Sequence, residues 1–135
     1  MGFYLSSLFY LVSMTGDGGN PMLHGETDQV CARFHQAIEL IGKRWTGAVL
    51  RVLMSGPRRF TEILAAVPDL HDRLLSERLK ELEAEGLVDR RVYPETPVRI
   101  EYVLTSKGRG LERVLSEIER WAHRWLPAPK EAERR

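Results

Sequence analysis

The chain has 135 residues, the size of one ordinary domain, and its hydrophobic fraction of 43% is typical of a soluble globular protein. Its 20 basic and 19 acidic residues give a formal net charge of +1, which excludes an evenly basic nucleic-acid coat but not a protein that reads DNA with one face. The single cysteine, Cys31, excludes an intrachain disulfide and a four-cysteine zinc site within one chain, and it makes the cytoplasm the expected location.

Residues 1–27 differ in composition from the rest of the chain. Residues 3–14 are uncharged and mostly apolar, but this run is too short to span a bilayer and lacks the positive start and the small-residue cleavage site of a secretory signal. No membrane association is expected. Three interpretations stay open: a poorly ordered extension, a segment that packs on a second copy, or a start codon assigned upstream of the true one at Met14 or Met22. We treat residues 1–27 as an N-terminal extension that is expected to be poorly ordered.

Four helices are predicted from Asp28 onward because apolar residues recur at intervals of three and four. Asp28 is expected to cap the first helix and Gly42 to end it. Glycine and proline bound the other three, and Gly86 is expected to cap the fourth. The predicted ranges of the second, third and fourth helices are 45–54, 60–67 and about 71–85.

A β-hairpin and a last helix are predicted after Gly86. The first strand is rich in strand-forming residues, the second alternates apolar and polar residues, and two prolines between them cannot continue a ladder. Thr105 or Ser106 is expected to cap a long helix that reaches Trp125. The predicted strands are 87–93 and 98–104, joined by a loop at 94–97. A charged tail is predicted at 127–135.

The order of these elements predicts a winged helix-turn-helix, a mainly α fold with a small β-hairpin (α+β) and long N- and C-terminal helices. The second helix of a helix-turn-helix lies in the major groove of DNA, so one face of the helix at about 71–85 must be free. Leu75, Leu79 and Leu82 share the inward stripe. The outward residues, which are candidate DNA contacts, are Arg73, Ser76, Glu77 and Lys80. An ordinary solvated surface is the alternative interpretation.

The hairpin, or wing, at about 88–104 offers further candidate contacts to the minor groove or to flanking phosphates. These candidates are Arg90, Arg91 and Arg99. Arg99 lies nearest the loop. The alternative is that the three arginines form cross-strand ion pairs with the acidic residues of the hairpin, which are Asp89, Glu95 and Glu101.

Several motifs in this order resemble the HxlR-type family of winged helix-turn-helix regulators, relatives of the MarR group. The matching stretches are 37–45, 56–63, 75–83, 86–88 and 93–102. The resemblance covers residues 28–126, about three quarters of the chain. It implies a transcriptional regulator, expected to be a repressor, that binds an inverted-repeat operator in double-stranded DNA as a homodimer. The chain departs from the family pattern at Lys43-Arg44, at Ala32 after the cysteine, and at His71, where the family often has a serine or threonine.

The resemblance places the dimer interface on the first and last helices. The last helix supports this interface on independent grounds, because its apolar surface is too wide for one small core. We expect Trp121 and Trp125 to pack on the first helix of the partner. The candidate interface residues are Phe34, Ile38, Leu111, Leu115, Ile118, Trp121 and Trp125.

Cys31 is a candidate redox-sensing residue, because some members of the resembled family sense oxidants or electrophiles through a cysteine at this position. With Asp28 as the cap, Cys31 would lie in the first helical turn, where the helix dipole favours a thiolate. Two alternatives stay open. Cys31 is a small buried hydrophobe, or it forms with His35 one half of a metal site between subunits.

No paired catalytic set, phosphate-binding loop or metal-binding histidine motif is present in the sequence, so neither enzymatic activity nor a cofactor is expected. The expected partners are double-stranded DNA, a second copy of the chain, and a small-molecule or oxidant effector. The alternative function is a winged-helix module that binds proteins and not DNA.

Overall fold

A computed structural model describes residues 29–130, which form six helices and one two-stranded antiparallel sheet. The chain divides into two units, one up to Lys43 and one from Arg44 onward, and each is described by itself. The first unit contains α1 (Ala32–Ile41). The second contains, in order, α2 (Thr46–Leu53), α3 (Phe60–Ala66), α4 (Asp72–Ala84), β1 (Val88–Tyr93), β2 (Arg99–Leu104), α5 (Ser106–Arg109) and α6 (Glu112–Trp125). Three helices followed by a hairpin confirm the predicted winged helix-turn-helix.

α1 starts about one turn later than the sequence predicts. Cys31 is its N-cap residue and has a ψ of 128°, which is not helical, so the helix begins at Ala32. The prediction that Asp28 caps this helix, with Cys31 inside the first turn, is therefore wrong, and Asp28 lies outside the described residues. Side-chain periodicity does not determine the residue at which a helix begins. Gly42 ends α1 as predicted, and its N–H donates to the carbonyl of Ile38 at 2.7 Å.

α2 follows Trp45 and does not contain it, which corrects the predicted start. Trp45 is the N-cap residue with a φ of 72°, in the left-handed region that bulky side chains seldom occupy. The guanidinium carbon of Arg44 lies 5.3 Å from the centre of the Trp45 ring. A cation over an aromatic ring is favourable, so this contact offsets part of the backbone strain.

The core of the second unit is built from the leucine-rich faces of short helices. Leu75, Leu79 and Leu82 form one stripe of α4, and each is at most 1% exposed, as the helical period predicts. The other fully buried apolar side chains come from α2, α3 and the start of the hairpin. They are Val49, Leu50, Leu53, Ile63, Leu87 and Val88. This packing holds α4 with its opposite face toward solvent.

The hairpin has the predicted strands, each starting one residue later than expected, and its last pair places Tyr93 opposite Arg99. The sequence analysis missed a third contribution to the sheet. The N–H of Arg58 donates to the carbonyl of Tyr102 at 3.0 Å, and the N–H of Tyr102 donates to the carbonyl of Arg58 at 2.8 Å. The segment before α3 is therefore tied to the wing by its backbone.

Gly86 ends α4 in the way that the sequence predicts. It has a φ of 72°, which glycine adopts without a Cβ penalty. Its N–H donates to the carbonyl of Glu83 at 3.0 Å, and the N–H of Leu87 donates to the carbonyl of Leu82 at 2.9 Å. This pair of bonds satisfies two helix-terminal carbonyls and directs the chain into β1.

The prediction of a single long helix from the Thr105 region to Trp125 is wrong, because the chain forms two helices there. α5 ends at Arg109, and α6 begins at Glu112. Thr105 caps α5 as expected, since its Oγ1 accepts a hydrogen bond from the N–H of Gly108 at 3.1 Å.

Gly108 allows α5 to pack closely against the hairpin. A Cβ added at Gly108 would lie 2.2 Å from the carbonyl oxygen of Leu87 and 3.1 Å from Cδ2 of Leu104. The backbone of α5 therefore lies directly against the start of the hairpin. Helical periodicity does not reveal so close a backbone approach, so the sequence alone shows only an uninterrupted apolar pattern.

α6 is joined to α2 by an ion pair in which Nε of Arg51 donates to Oε2 of Glu119 at 2.8 Å. This hydrogen bond and the charge of Arg51 lower the pKa of Glu119 below its ordinary value. The predicted N-terminal extension, and residues 131–135 of the predicted tail, lie outside the described residues. Within residues 29–130, no helix has the length and apolar character needed to cross a membrane.

Candidate nucleic-acid interface

The turn between α3 and α4 fixes the direction of the candidate recognition helix. Val67 and Leu70 are buried in this turn. Between them Asp69 has a φ of 68°, a conformation that aspartate tolerates better than most residues. His71 is the N-cap residue of α4 but makes no side-chain capping hydrogen bond. The helix therefore starts as the sequence predicts, with its orientation set by the two buried side chains.

The four predicted contact residues of α4 lie on its solvent-facing side. Arg73 and Lys80 are exposed, Ser76 is half-buried, and Glu77 is exposed beside Arg73. Nε of Arg73 lies 3.5 Å from Oε1 of Glu77, one turn along the helix, while the Arg73 side chain is 93% exposed. Exposed pairs of this kind contribute about 0–1 kcal/mol, so Arg73 can leave Glu77 for a phosphate or a base. A role for these residues in DNA contact stays a prediction.

Arg78 has a structural part in this surface that the sequence analysis missed. Its side chain is only 11% exposed. Nε donates to the carbonyl of Arg44 at 2.8 Å, and Nη1 lies 3.2 Å from a carboxylate oxygen of Glu81. At about 100° per residue, Arg78 lies about 60° from Leu75, at the edge of the inward stripe. This position in the helical period could have predicted that the side chain is partly buried.

On the wing, Arg90 and Arg91 are exposed and lie on opposite faces of β1, since successive strand residues alternate. Neither forms an ion pair with any residue in the range 29–130. These two guanidinium groups are therefore available to phosphates on either side of the hairpin. Their predicted contact with DNA is untested.

Arg99 is held differently from the other two wing arginines. Its side chain is 29% exposed, with Nη1 2.9 Å from Oε1 of Glu101 and Nη2 3.1 Å from Oε1 of Glu95. The guanidinium carbon lies 4.0 Å from the centre of the Tyr93 ring. Arg99 pairs with two of the acidic residues foreseen in the alternative, although Glu101 lies on its own strand and Glu95 in the loop, so neither pair crosses the ladder. A contact of Arg99 with DNA would first have to break these pairs.

The predicted dimer residues fall into two groups. Phe34 and Ile38 are exposed on α1, and Ile118, Trp121 and Trp125 are exposed on α6. Trp121 and Trp125, at 57% and 63% exposed, are unusually open for tryptophan.

The other two members of that prediction are less available to a partner. Leu115 is only 8% exposed and belongs to the apolar core of the chain, which corrects its place in the prediction. Leu111 is half-buried just before α6. The exposed apolar face of α6 continues through Val114, next to Ile118 and Trp121.

Cys31 is half-buried at the N-cap position of α1. The positive end of the helix dipole lies at this position, although the sulfur makes no capping hydrogen bond to the helix. Within residues 29–130, the structure contains no cluster of three or more potential metal ligands.

Residues 40–130 match the family model of the HxlR-like helix-turn-helix. The chain belongs to this family. Among its relatives, the uncharacterized HTH-type transcriptional regulator YvaP of Bacillus subtilis (strain 168) is 53% identical over 98 residues, which make up 73% of this chain and 91% of YvaP. The HTH-type transcriptional regulator YodB of the same strain is 47% identical over 93 residues, or 69% of this chain and 83% of YodB.

Solved structures of relatives share the fold. The reduced form of B. subtilis YodB superposes with a TM-score of 0.66 at 43% identity, over 76% of this chain and 100% of that chain. The redox regulator HypR in its oxidized form superposes with a TM-score of 0.68 at 32% identity, over 71% of this chain and 99% of that chain. The structure of diamide-treated YodB superposes with a TM-score of 0.62 at 44% identity, over 74% of this chain and 99% of that chain. The structure of quinone-bound YodB superposes with a TM-score of 0.61 at 41% identity, over 70% of this chain and 100% of that chain.

These similarities and the winged helix-turn-helix geometry give the function in outline. The protein is a DNA-binding transcriptional regulator. Its relatives are transcriptional regulators and not enzymes.

Proposed function

We propose that the protein is a cytoplasmic homodimeric repressor, without catalytic activity, that binds an inverted-repeat operator. Each protomer places α4 in the major groove and its wing on the adjacent backbone or minor groove. The observation that carries this proposal is the outward face of α4, where Arg73 and Lys80 are exposed and Ser76 is half-buried between them. Arg90 and Arg91 of the wing, which form no ion pair within residues 29–130, extend the same set of cations.

The chemistry of the α4 face suits base recognition as well as phosphate contact. Arg73 and Lys80 can donate to guanine or to phosphate, and Ser76 can donate and accept. Glu77 is a poor neighbour for phosphates, but it can accept from a cytosine amino group once Arg73 has turned to the DNA. The near-neutral chain therefore gains affinity from a local group of cations and not from its total charge.

Dimerisation is supported by the exposed apolar faces of the terminal helices. Ile118, Trp121 and Trp125 form one face of α6, and Phe34 and Ile38 are exposed on α1. Contiguous exposed apolar surface that includes two tryptophans is typical of an interface. A homodimer with twofold symmetry presents two copies of α4, so its operator has two half-sites related by the same symmetry.

Repression is the outcome that we assign to operator binding, since a dimer that occupies a promoter blocks access to it. The experiment is to sequence the DNA fragments that the purified protein retains from its own genome, and then to place the retained site before a reporter gene. The proposal expects an inverted repeat and a reporter that becomes more active when the regulator is deleted. Fragments without a common motif would contradict sequence-specific binding, and a less active reporter would contradict repression.

A second proposal concerns the effector, which we infer to be an oxidant or an electrophile that acts on Cys31. The half-buried Cys31 lies at the N-cap position of α1, where a reagent can reach it from solvent. Diamide-treated and quinone-bound YodB and oxidized HypR are solved forms of relatives. A peroxide would take two electrons from the Cys31 sulfur and give a sulfenic acid. A second thiol, from a small molecule or from the partner, would then displace water and form a disulfide.

A further inference from the structure

The tip of the wing contains a cluster centred on Arg99. The guanidinium donates to Glu101 at 2.9 Å and to Glu95 at 3.1 Å, and it stacks on Tyr93 with 4.0 Å between the guanidinium carbon and the ring centre. Nε of Arg99 is buried and has no hydrogen-bond partner among the described residues. One guanidinium thus fixes three side chains at the end of the hairpin.

The register of the hairpin places a fourth side chain beside this cluster. Arg91 lies directly opposite Glu101, and directly opposed side chains share a face with their Cβ atoms about 5 Å apart. Glu101 is nevertheless paired with Arg99, its neighbour two residues away on the same strand. Arg91 has no ion pair within residues 29–130 and is exposed.

We propose that Arg99 is a positioning residue of the wing. By holding Glu101, it keeps that carboxylate away from Arg91 and leaves the Arg91 guanidinium free for a DNA phosphate. This inference rests on the proposed wing contact. It assigns to Arg99 a part different from direct contact with DNA, which the sequence had suggested.

Electrostatics favours this arrangement over direct contact by Arg99. The cluster holds one positive charge against the two carboxylates of Glu95 and Glu101. If Arg99 turned to a phosphate, Glu95 would be left uncompensated next to the DNA, where like charges repel, and Glu101 would compete with phosphate for Arg91. With Arg99 in place, the two carboxylates are neutralised in part, and Arg91 on the same face of the hairpin stays available to a phosphate.

The test uses the salt dependence of DNA binding, because each phosphate contact contributes about 0.9 to the slope of log K against log salt for duplex DNA. Binding of the full chain to a fluorescein-labelled duplex of mixed sequence is titrated by anisotropy at several salt concentrations. We expect Arg99→Gln to free Glu101 to pair with Arg91, so that the slope falls by about one phosphate per protomer. The double variant Arg99→Gln, Glu101→Gln should recover the wild-type slope, because residue 101 then no longer carries a charge that competes for Arg91.

Other results separate the positioning role from its alternatives. A slope that stays reduced in the double variant would overturn the positioning role and show that Arg99 touches phosphate itself. An unchanged slope in Arg99→Gln would also overturn it. Arg91→Gln tests the proposed contact of Arg91 with phosphate by itself. An unchanged slope in this variant would contradict both that contact and the positioning role of Arg99. Thermal unfolding of each variant, expected to match wild type for these wing-tip residues, separates loss of binding from loss of fold.

Discussion

Nε of Arg78, on the inner edge of the recognition helix, donates a 2.8 Å hydrogen bond to the carbonyl oxygen of Arg44, just before α2. The same guanidinium contacts Glu81 on its own helix, and its side chain is 11% exposed. A hydrogen bond from a charged donor to a backbone carbonyl is one of the stronger types of protein hydrogen bond. Arg78 thereby helps to hold α4, the helix that we propose faces DNA, against the chain that enters α2.

The first prediction is that Arg78→Ala lowers the free energy of unfolding by about 1–3 kcal/mol, the usual contribution of a hydrogen bond to a charged group. Arg78→Lys should recover only part of the loss, because lysine lacks the planar fork that reaches Arg44 and Glu81 together. Urea denaturation measures both variants. Arg73→Ala is the matched control, since Arg73 is 93% exposed and should change stability by less than about 0.5 kcal/mol. Equal stability of Arg78→Ala and wild type would contradict the anchoring role.

The second prediction concerns Gly108, where an added Cβ would lie 2.2 Å from the carbonyl oxygen of Leu87. Gly108→Ala must push α5 away from the hairpin, so we expect a loss of about 1–3 kcal/mol or more in unfolding free energy. Gly110→Ala is the control. Its added Cβ would lie 3.2 Å from the nearest atom and its φ is −58°, so the change should stay within about 1 kcal/mol. Thermal unfolding of the two variants should rank them clearly, and similar melting temperatures would contradict the close packing.

Local patterns in the sequence predict most of this architecture. The period of Leu75, Leu79 and Leu82 gives both the existence of α4 and its outward face, because burying one stripe determines the opposite one. Gly86 marks the end of α4, since a left-handed closing residue selects glycine. Proline in the wing loop bounds the two strands for a similar local reason.

The features that the sequence does not reveal depend on contacts between distant segments. The Arg58–Tyr102 backbone pair joins residues 44 positions apart and has no side-chain pattern. The close approach of Gly108 to Leu87 is also a contact between distant segments, which no periodicity encodes. For Arg99, a sequence shows three acidic residues nearby but not the one rotamer that contacts Glu95, Glu101 and Tyr93 together.

The third prediction is that the double variant Arg73→Ala, Lys80→Ala loses DNA affinity. If Arg73 donates to a base, its removal alone should cost about 1–3 kcal/mol, and loss of a phosphate contact at Lys80 should lower the salt slope by about one. Gel-shift titration against the retained operator is the measurement. Arg120→Ala, which removes an exposed arginine from α6, is the control and should bind as wild type does. An unchanged affinity of the double variant would refute the assignment of α4 as the recognition helix.

The fourth prediction is that Trp121→Ala, Trp125→Ala dissociates the dimer. Both rings are more than half exposed in one protomer, so their truncation creates no large cavity in the fold but removes aromatic anchors, each typically contributing about 2 kcal/mol or more at an interface. Light scattering over a dilution series should show a monomer for the double variant. Val92→Ala, which trims an exposed apolar residue of the wing, is the control and should leave the dimer intact. A folded double variant that stays dimeric at low concentration would place the interface elsewhere.

The last prediction is that oxidation of Cys31 releases DNA. Any disulfide formed at this sulfur adds a bulky group at the N-cap of α1, a helix that we place in the dimer interface, and half-sites about one helical turn apart tolerate little change in the spacing of the two recognition helices. Cys31 is the single cysteine of the chain, so Cys31→Ser removes all thiol chemistry without other loss. Operator affinity is measured before and after mild diamide or peroxide, with mass spectrometry to verify the modification. We expect the wild-type protein to lose affinity and Cys31→Ser to keep it, with recovery of the wild type on reduction. Equal binding by wild-type protein that mass spectrometry shows to be fully modified would rule out Cys31 as the sensor.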